Sequence, residues 1–173
     1  MAWTAVTGKK SEQPAACYTV QYSVAGSNKW KTATTKATGT SWTITKLAAS
    51  TSYDVRVFAT KDRYFLASDF SNVKTADTWL AVPKISSVVS KVSGSAVVKW
   101  TSVKNALQYE LFYRPTGTEN WQSVTVPSSG AKSETFTLSS LDSGVSYEFR
   151  LRALSTEFES SPLSLVKVLK KVL

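Results

Sequence analysis

Few side chains in this chain could carry covalent or acid–base chemistry. The 173-residue sequence contains no histidine, and its one cysteine is Cys17. No side chain therefore has an ordinary pKa near neutral pH, and the commonest metal ligand is missing. Ser-His-Asp and Cys-His arrangements lack their usual base. A zinc site, which needs clustered Cys or His, is excluded as well.

Carboxylates offer the only other route to catalysis. Glu157 and Glu159 lie close together in sequence, but they fall in a predicted loop, where a solvated turn is the simpler interpretation. The sequence contains no phosphate-binding glycine loop and no dinucleotide fingerprint. We therefore predict that the chain is not an enzyme and binds neither a cofactor nor a metal.

The charge of the chain is positive but diffuse. Its net charge is +9, from 21 basic and 12 acidic residues, and the densest group is Lys167, Lys170 and Lys171. Nucleic-acid-binding proteins usually show a clustered basic face, so we predict no nucleic-acid partner. No apolar run approaches the ~20 residues that span a bilayer, so we predict no membrane insertion. A single cysteine cannot form a disulfide within the chain.

The sequence repeats itself over a distance typical of a whole domain. The two copies are offset by 97 residues at the first matching pair, by 91 over the next ones and by 94 over the later ones. A period of this length indicates two domains rather than a solenoid. The matching positions are Trp3 with Trp100, Tyr18 with Tyr109, Tyr22 with Tyr113, Trp30 with Trp121, Leu47 with Leu141, and Tyr53 with Tyr147.

Within each copy, apolar and polar residues alternate in short segments. Residues 53–59 and 147–153 alternate throughout, and Trp42, Ile44 and Leu47 alternate with polar Thr43 and Thr45. A period of two with one polar face predicts antiparallel strands that cover a core on one side. Several such strands separated by turns predict an all-β sandwich.

A leucine followed six residues later by a tyrosine is the most specific feature. It occurs as Leu47 with Tyr53 and again as Leu141 with Tyr147. This spacing predicts a tyrosine corner, in which the leucine enters the core and the tyrosine hydroxyl bonds to the backbone near the turn.

In the second copy, a strand-B tryptophan, a Tyr-x-x-x-Tyr strand and a Leu…Tyr corner follow one another as Trp100, Tyr109, Tyr113, Leu141 and Tyr147. This order resembles the fibronectin type III family. The resemblance implies two tandem immunoglobulin-like β-sandwiches, at residues 1–79 and 80–173. It also implies non-catalytic structural or adhesion modules at an extracellular or cell-surface location.

The first copy departs from the family pattern at its start. The second copy has a predicted strand A at residues 83–89 and strand B at 96–101, whereas the first has only the end of strand B, at residues 2–4. Each large apolar side chain that these strands would bury stabilises a module by ~1.5–3 kcal/mol, and the first module lacks these side chains. We therefore expect either the C-terminal piece of a longer protein or a chain with a misassigned start, whose first module alone is marginal or borrows a strand.

Two functions of different class remain open. The modules could be spacers that hold other domains of a longer, secreted or cell-surface chain, or they could bind a protein or polysaccharide through inter-strand loops. The best loop candidate contains Lys61, Arg63, Tyr64 and Phe65, because Arg and Tyr favour interfaces. Trp30 and Trp121 are expected to cover the cores of their own modules.

Overall fold

A computed structural model describes residues 1–6, 15, 17–60 and 66–173. The chain divides into two compact units, Met1–Thr78 and Trp79–Leu173, here called module one and module two. Every regular element in the described residues is a β-strand. The predicted all-β class is confirmed.

Module one has one complete sheet in its described residues, with the strand order β2-β1-β3-β4 and antiparallel pairing throughout. Its central strand β3 alternates buried and half-buried residues along its length, as a strand with one face on a core must. The strands are β1 (Tyr18–Val24), β2 (Lys31–Ala37), β3 (Ser52–Ala59) and β4 (Lys74–Asp77).

On the opposite face of module one, the described residues form only a trace of a second sheet. A single bridge joins Ala2 to Ser41, through hydrogen bonds from Trp3 N to Thr40 O at 2.9 Å and from Trp42 N to Met1 O at 3.1 Å. The predicted strand over residues 42–47 is wrong, because these residues form no strand. Its ladder partner would be strand B, of which only residues near Ala2 are present, and a strand without a paired neighbour is not stable by itself.

Module two contains both sheets of a sandwich. The orders are β5-β6-β9 and β11-β10-β7-β8, again antiparallel. The predicted strands at residues 83–89 and 96–101 correspond to β5 and β6. The strands are β5 (Lys84–Val89), β6 (Ala96–Thr101), β7 (Gln108–Pro115), β8 (Gln122–Pro127), β9 (Ser133–Leu138), β10 (Tyr147–Leu154) and β11 (Lys167–Leu169).

The cores of the modules differ in size, but each contains the same tryptophan–tyrosine contact at the end of strand B. Module two buries seventeen core residues, whereas the described part of module one groups six. In module two, the rings of Trp100 and Tyr109 meet edge to face at 5.2 Å, and Tyr109 Oη accepts a hydrogen bond from Val103 N. Module one repeats this with Trp3 and Tyr18 at 5.3 Å and with Val6 N as the donor. The end of strand B is thus fixed on the next strand in the same way in both modules.

Serine side chains fasten the segment that precedes the last strand of each module. In module two, Ser161 Oγ and Ser164 Oγ accept hydrogen bonds from the β10 amides of Ala153 and Leu151, at 2.9 and 3.0 Å. Module one has the same bonds between Ser68 and Ala59 and between Ser71 and Val57, at 2.9 and 3.0 Å. In each case the serine N–H also donates to the carbonyl of the same strand residue. These segments thereby provide hydrogen-bond partners for backbone N–H and C=O groups at the edges of β3 and β10, although they are not regular strands.

Candidate binding surface

The two predicted tyrosine corners lie at equivalent ends of the modules. Tyr53 is 7 % exposed, and its Oη accepts a hydrogen bond from Ala48 N at 3.0 Å. Tyr147 is 4 % exposed and accepts one from Asp142 N at 3.2 Å. Leu141 belongs to the core of module two, whereas Leu47 is only half-buried.

The backbone around both corners adopts the same unusual conformation. Lys46 and Ser140, each directly before the corner leucine, have φ of 61° and 64°. Ser50 and Gly144 share the next left-handed position, with φ of 49° and 83°. Non-glycine residues rarely adopt positive φ, so this repetition indicates one local structure in both modules. The tyrosine hydroxyls of both corners bond to the backbone of their own turns, which is a structural role.

The four residues of the predicted binding loop, Lys61, Arg63, Tyr64 and Phe65, lie outside the described residues. Their proposed role stays a prediction.

A different candidate lies on the outer face of the module-one sheet. The Arg56 guanidinium carbon lies 3.9 Å from the ring centre of Trp30 and 3.7 Å from that of Phe70. Phe58, two residues beyond Arg56 on the same face of β3, meets Phe70 edge to face at 5.0 Å. Trp30, Arg56, Phe58 and Phe70 are called the arginine–aromatic row. Phe70 is 51 % exposed, so the row is open to solvent.

The position of Trp30 corrects one expectation. Trp30 packs on Arg56 on the outer face rather than covering the core of module one. Trp121, its counterpart, lies over Arg114 at 4.4 Å and is likewise outside the core of module two. A guanidinium stacks well on an indole face, so each tryptophan is held by an arginine of its own sheet.

The charge of Arg56 is not neutralised by a neighbour. Arg56 Nε donates to Gln21 Oε1 at 2.9 Å, and no carboxylate lies within ion-pair distance among the described residues. Asp54, two residues earlier on β3, accepts hydrogen bonds from Thr75 Oγ1 and Gly26 N. The bond from Thr75, followed by that from Gly26, holds the Asp54 pKa below its usual value. Within the described residues the other donors of the half-buried Arg56 side chain have no partner, and the guanidinium lies against two rings, an arrangement suited to an anionic or carbohydrate ligand.

The equivalent face of module two is internally compensated. Arg114 pairs with Glu148 at 2.7 Å, and Arg152 pairs with Glu110 at 2.6 Å. The counterpart of Arg56 is Arg150, whose Nε donates to Ser164 O at 3.2 Å. Two of the three arginines on this face thus have carboxylate partners. Each module has its own version of this four-stranded sheet, and the two sheets differ in how many arginine charges on the outer face lack a carboxylate partner.

The sequence did not reveal the row because Trp30 was expected to cover the core of module one rather than to lie on the outer sheet face. The signal was available, because Arg56 and Phe58 occupy outward positions in the alternating segment 53–59. Phe70 could not be placed, since its segment has no period of two and is held to β3 by Ser68 and Ser71.

The remaining candidates from the sequence are the two neighbouring carboxylates and a possible metal site. Glu157 and Glu159 are both exposed. Across the described residues, no three acidic, Cys or His side chains come together in a group that could hold a metal ion. The same residues include no helix with the length and apolar character needed to cross a membrane.

Comparison with known proteins finds a family match for the second half of the chain. Residues 81–166 match the family model described as fibronectin type III domain. No curated protein sequence matches the chain. Among solved structures, a two-domain fibronectin type III segment of chicken tenascin shares 26 % identity with a TM-score of 0.54, covering 98 % of this chain and 90 % of that one. The chicken interferon gamma receptor alpha chain shares 13 % identity with a TM-score of 0.52, covering 99 % and 91 %; it supports the fold alone.

Proposed function

Because residues 81–166 form a fibronectin type III domain, we propose that this chain is a non-catalytic pair of spacer modules from a larger secreted or cell-surface protein. Such modules are commonly spacers or binding units of extracellular proteins, and the tenascin segment has the same two-domain arrangement. The observation that carries the proposal is the self-contained core of module two, in which Trp100, Tyr109, Phe149 and Leu151 are completely buried. This packing serves the stability of module two.

Mechanical unfolding tests the spacer role, because a spacer must keep its length under load. When the whole chain is pulled between handles at its two ends, module two should unfold in one abrupt step that lengthens the chain by about 300 Å. The control is a chain with Trp100→Ala, which should lose this step because a large cavity opens in the core. A wild-type chain that extends smoothly without that step would contradict the proposal.

A second candidate function is the binding of an anionic glycan at the arginine–aromatic row. It is favoured by the position of Arg56 between the rings of Trp30 and Phe70 without a carboxylate partner in the described chain. Aromatic faces stack on sugar rings, and a guanidinium pairs with sulfate or carboxylate groups. The positive net charge of the chain would speed the encounter.

Calorimetric titration with a sulfated hexasaccharide tests this candidate. Arg56→Gln should weaken binding about tenfold or more, in line with the loss of one charge-assisted contact of about 1.5–3 kcal/mol. The matched control is Arg150→Gln, the same position of module two, which should bind as the wild type does. If Arg63→Gln abolishes binding and Arg56→Gln leaves it unchanged, the site is the loop and not the row.

A further inference from the structure

A cleft of module one lies beside its tyrosine corner and is here called the corner cleft. Its volume is about 410 Å³, which falls within the range of about 300–1,000 Å³ for small-molecule sites. The end of β1, the β1–β2 turn and the start of β2 form one part of its lining, residues 46–48 form another, and Tyr53 of β3 completes it. All of these residues belong to module one, and none belongs to the arginine–aromatic row.

The apolar part of the lining comes from two tyrosine rings and two aliphatic side chains. Tyr22 and Tyr53 meet edge to face, with their ring centres 6.0 Å apart. Val24 is 48 % exposed and Leu47 is half-buried, whereas Leu141, the counterpart of Leu47, belongs to the core of module two. The corner cleft thus leaves apolar surface uncovered, and its two rings favour an aromatic ring as the occupant.

Three lysines and no carboxylate line the corner cleft. Lys31 is opposite Tyr22 in the β1–β2 ladder, and opposite residues of an antiparallel pair have their side chains on the same face. Lys31 therefore lies on the face of the sheet from which Tyr22 packs against the core. Lys29 comes from the β1–β2 turn and Lys46 from the segment before the corner. Within the described residues, no ion pair neutralises any of the three.

The shared fold does not require lysine at these positions. Their counterparts in module two are neutral: Asn120, Gln122 and Ser140. Gln122 has the same ladder position as Lys31, since it is opposite Tyr113. An inward lysine on an edge strand also guards a sheet against pairing with another sheet, but this accounts for Lys31 alone and not for Lys46. Three positive charges beside one apolar cleft are therefore a property of module one and not of the fold.

The buried hydroxyl of Tyr53 adds a hydrogen-bond donor to the corner cleft. In module two, Tyr147 Oη accepts a bond from Asp142 N and donates one to Asp142 Oδ2 at 3.3 Å. Tyr53 Oη accepts in the same way from Ala48 N, but alanine has no side-chain acceptor to offer in return. Within the described residues the Tyr53 hydroxyl proton has no partner, although Tyr53 is only 7 % exposed. A buried donor without an acceptor is costly, and an anion in the corner cleft would supply the acceptor.

We propose that the corner cleft binds a small aromatic oxyanion, which is a ring that carries a sulfate or phosphate ester group. The ring lies against Tyr22 and Leu47, and the oxyanion accepts from Tyr53 Oη and pairs with the lysine ammonium groups. Asp54, the residue after Tyr53 on β3, is on the outward face of the sheet, so its carboxylate does not enter the cleft. This site goes beyond the spacer role and is independent of the glycan candidate.

NMR titration of the full-length chain with phenyl sulfate and with phenyl phosphate tests the proposal. At least one ester should bind with a Kd of about 0.1–1 mM, as expected for a ligand of this size, and should shift the amides of Val24, Lys31 and Ala48 most. Inorganic sulfate and phosphate should bind at least about tenfold more weakly than the corresponding ester, because they bury no ring. Phenol, which lacks the charge, should also bind more weakly. The ester that binds more tightly identifies the oxyanion.

The variants exchange each lysine for its counterpart in module two, which the fold already accepts there. Lys31→Gln should weaken ester binding about threefold to fivefold, as expected for the loss of one exposed ion pair. The double variant with Lys46→Ser should weaken it about tenfold or more. The matched control is Lys36→Gln, which removes an exposed β2 lysine outside the cleft and should change the affinity by less than about twofold.

Four outcomes would overturn the proposal. The first is the absence of saturable shifts with either ester, and the second is equal affinity for ester and inorganic anion. The third is equal weakening by Lys36→Gln and Lys31→Gln, which would show a response to net charge only. The fourth is a set of shifts confined to Gln21, Trp30 and Arg56, which would place the ester on the row. Arg56→Gln should leave ester binding within about twofold of the parent, so failure of the glycan candidate does not affect this test.

Discussion

Replacing Ser164 by alanine tests how the last segment of module two is held to the sheet. Ser164 is 3 % exposed, and its Oγ accepts a hydrogen bond from Leu151 N at 3.0 Å. The same Oγ donates to Leu165 O at 3.0 Å. Because Leu151 is completely buried, water cannot reach its amide when the serine oxygen is removed.

The magnitude follows from the unpaired amide. Leaving a buried donor without an acceptor costs about 1–3 kcal/mol, and alanine creates almost no cavity beside the loss of one oxygen. We expect Ser164→Ala to lower the free energy of unfolding of module two by about 2 kcal/mol. For a domain of this size, that corresponds to a drop in Tm of about 8–16 °C.

Urea unfolding followed by tryptophan fluorescence, together with calorimetry, measures this loss. The matched control is Ser160→Ala, an exposed serine in the same segment, which should change stability by less than about 0.5 kcal/mol. Ser71→Ala should destabilise module one through the corresponding bond from Val57 N. If Ser164→Ala costs no more than Ser160→Ala, the serine bond does not hold the segment and the reasoning is wrong.

Two further predictions concern buried polar groups. Tyr147→Phe should cost module two about 1 kcal/mol, because Asp142 N loses its acceptor; Tyr113→Phe, whose hydroxyl has no partner in the described residues, should cost less in the same urea titration. Burial alone would raise the pKa of Glu134, but hydrogen bonds from Ser129 and Ser128 outweigh it and hold that pKa below its usual value. The ionised Glu134 carboxylate therefore stabilises the folded module fully above pH about 4.5, and this stabilisation is lost as the pH falls through the lower pKa of the folded state. Urea midpoints measured between pH 2 and 7 should fall less steeply at acid pH for Glu134→Gln than for the parent, and parallel curves would contradict this.

Most of the architecture could be predicted from periodicity and repetition. The alternating segments gave β3 and β10, and the run Ala96–Thr101 gave β6 with its bounds. These features are local, because alternate side chains of one strand must face one core. The repeat then placed the corresponding residues of module one without any knowledge of long-range contacts.

The misses have a physical cause in tertiary context. Residues 42–47 alternate as a strand does, but a strand needs a paired neighbour, and module one lacks most of strand B beside them. Arg56 and Trp30 are 26 residues apart in sequence, so their stacking depends on how β2 and β3 flank β1. The serine bonds to β3 and β10 likewise join segments that carry no local pattern.

Residue-resolved hydrogen exchange of the intact chain tests the central claim, which is that both modules share one sandwich plan and that module one has only one complete sheet in the described residues. The account predicts slow exchange in β6, β7 and β10 at rates set by global unfolding of module two. It predicts much faster exchange in β1 and β3, and no protection over residues 43–47, whose amides donate no hydrogen bond in the structure. Equal protection of β3 and β10, or slow amides at residues 43–47, would contradict it.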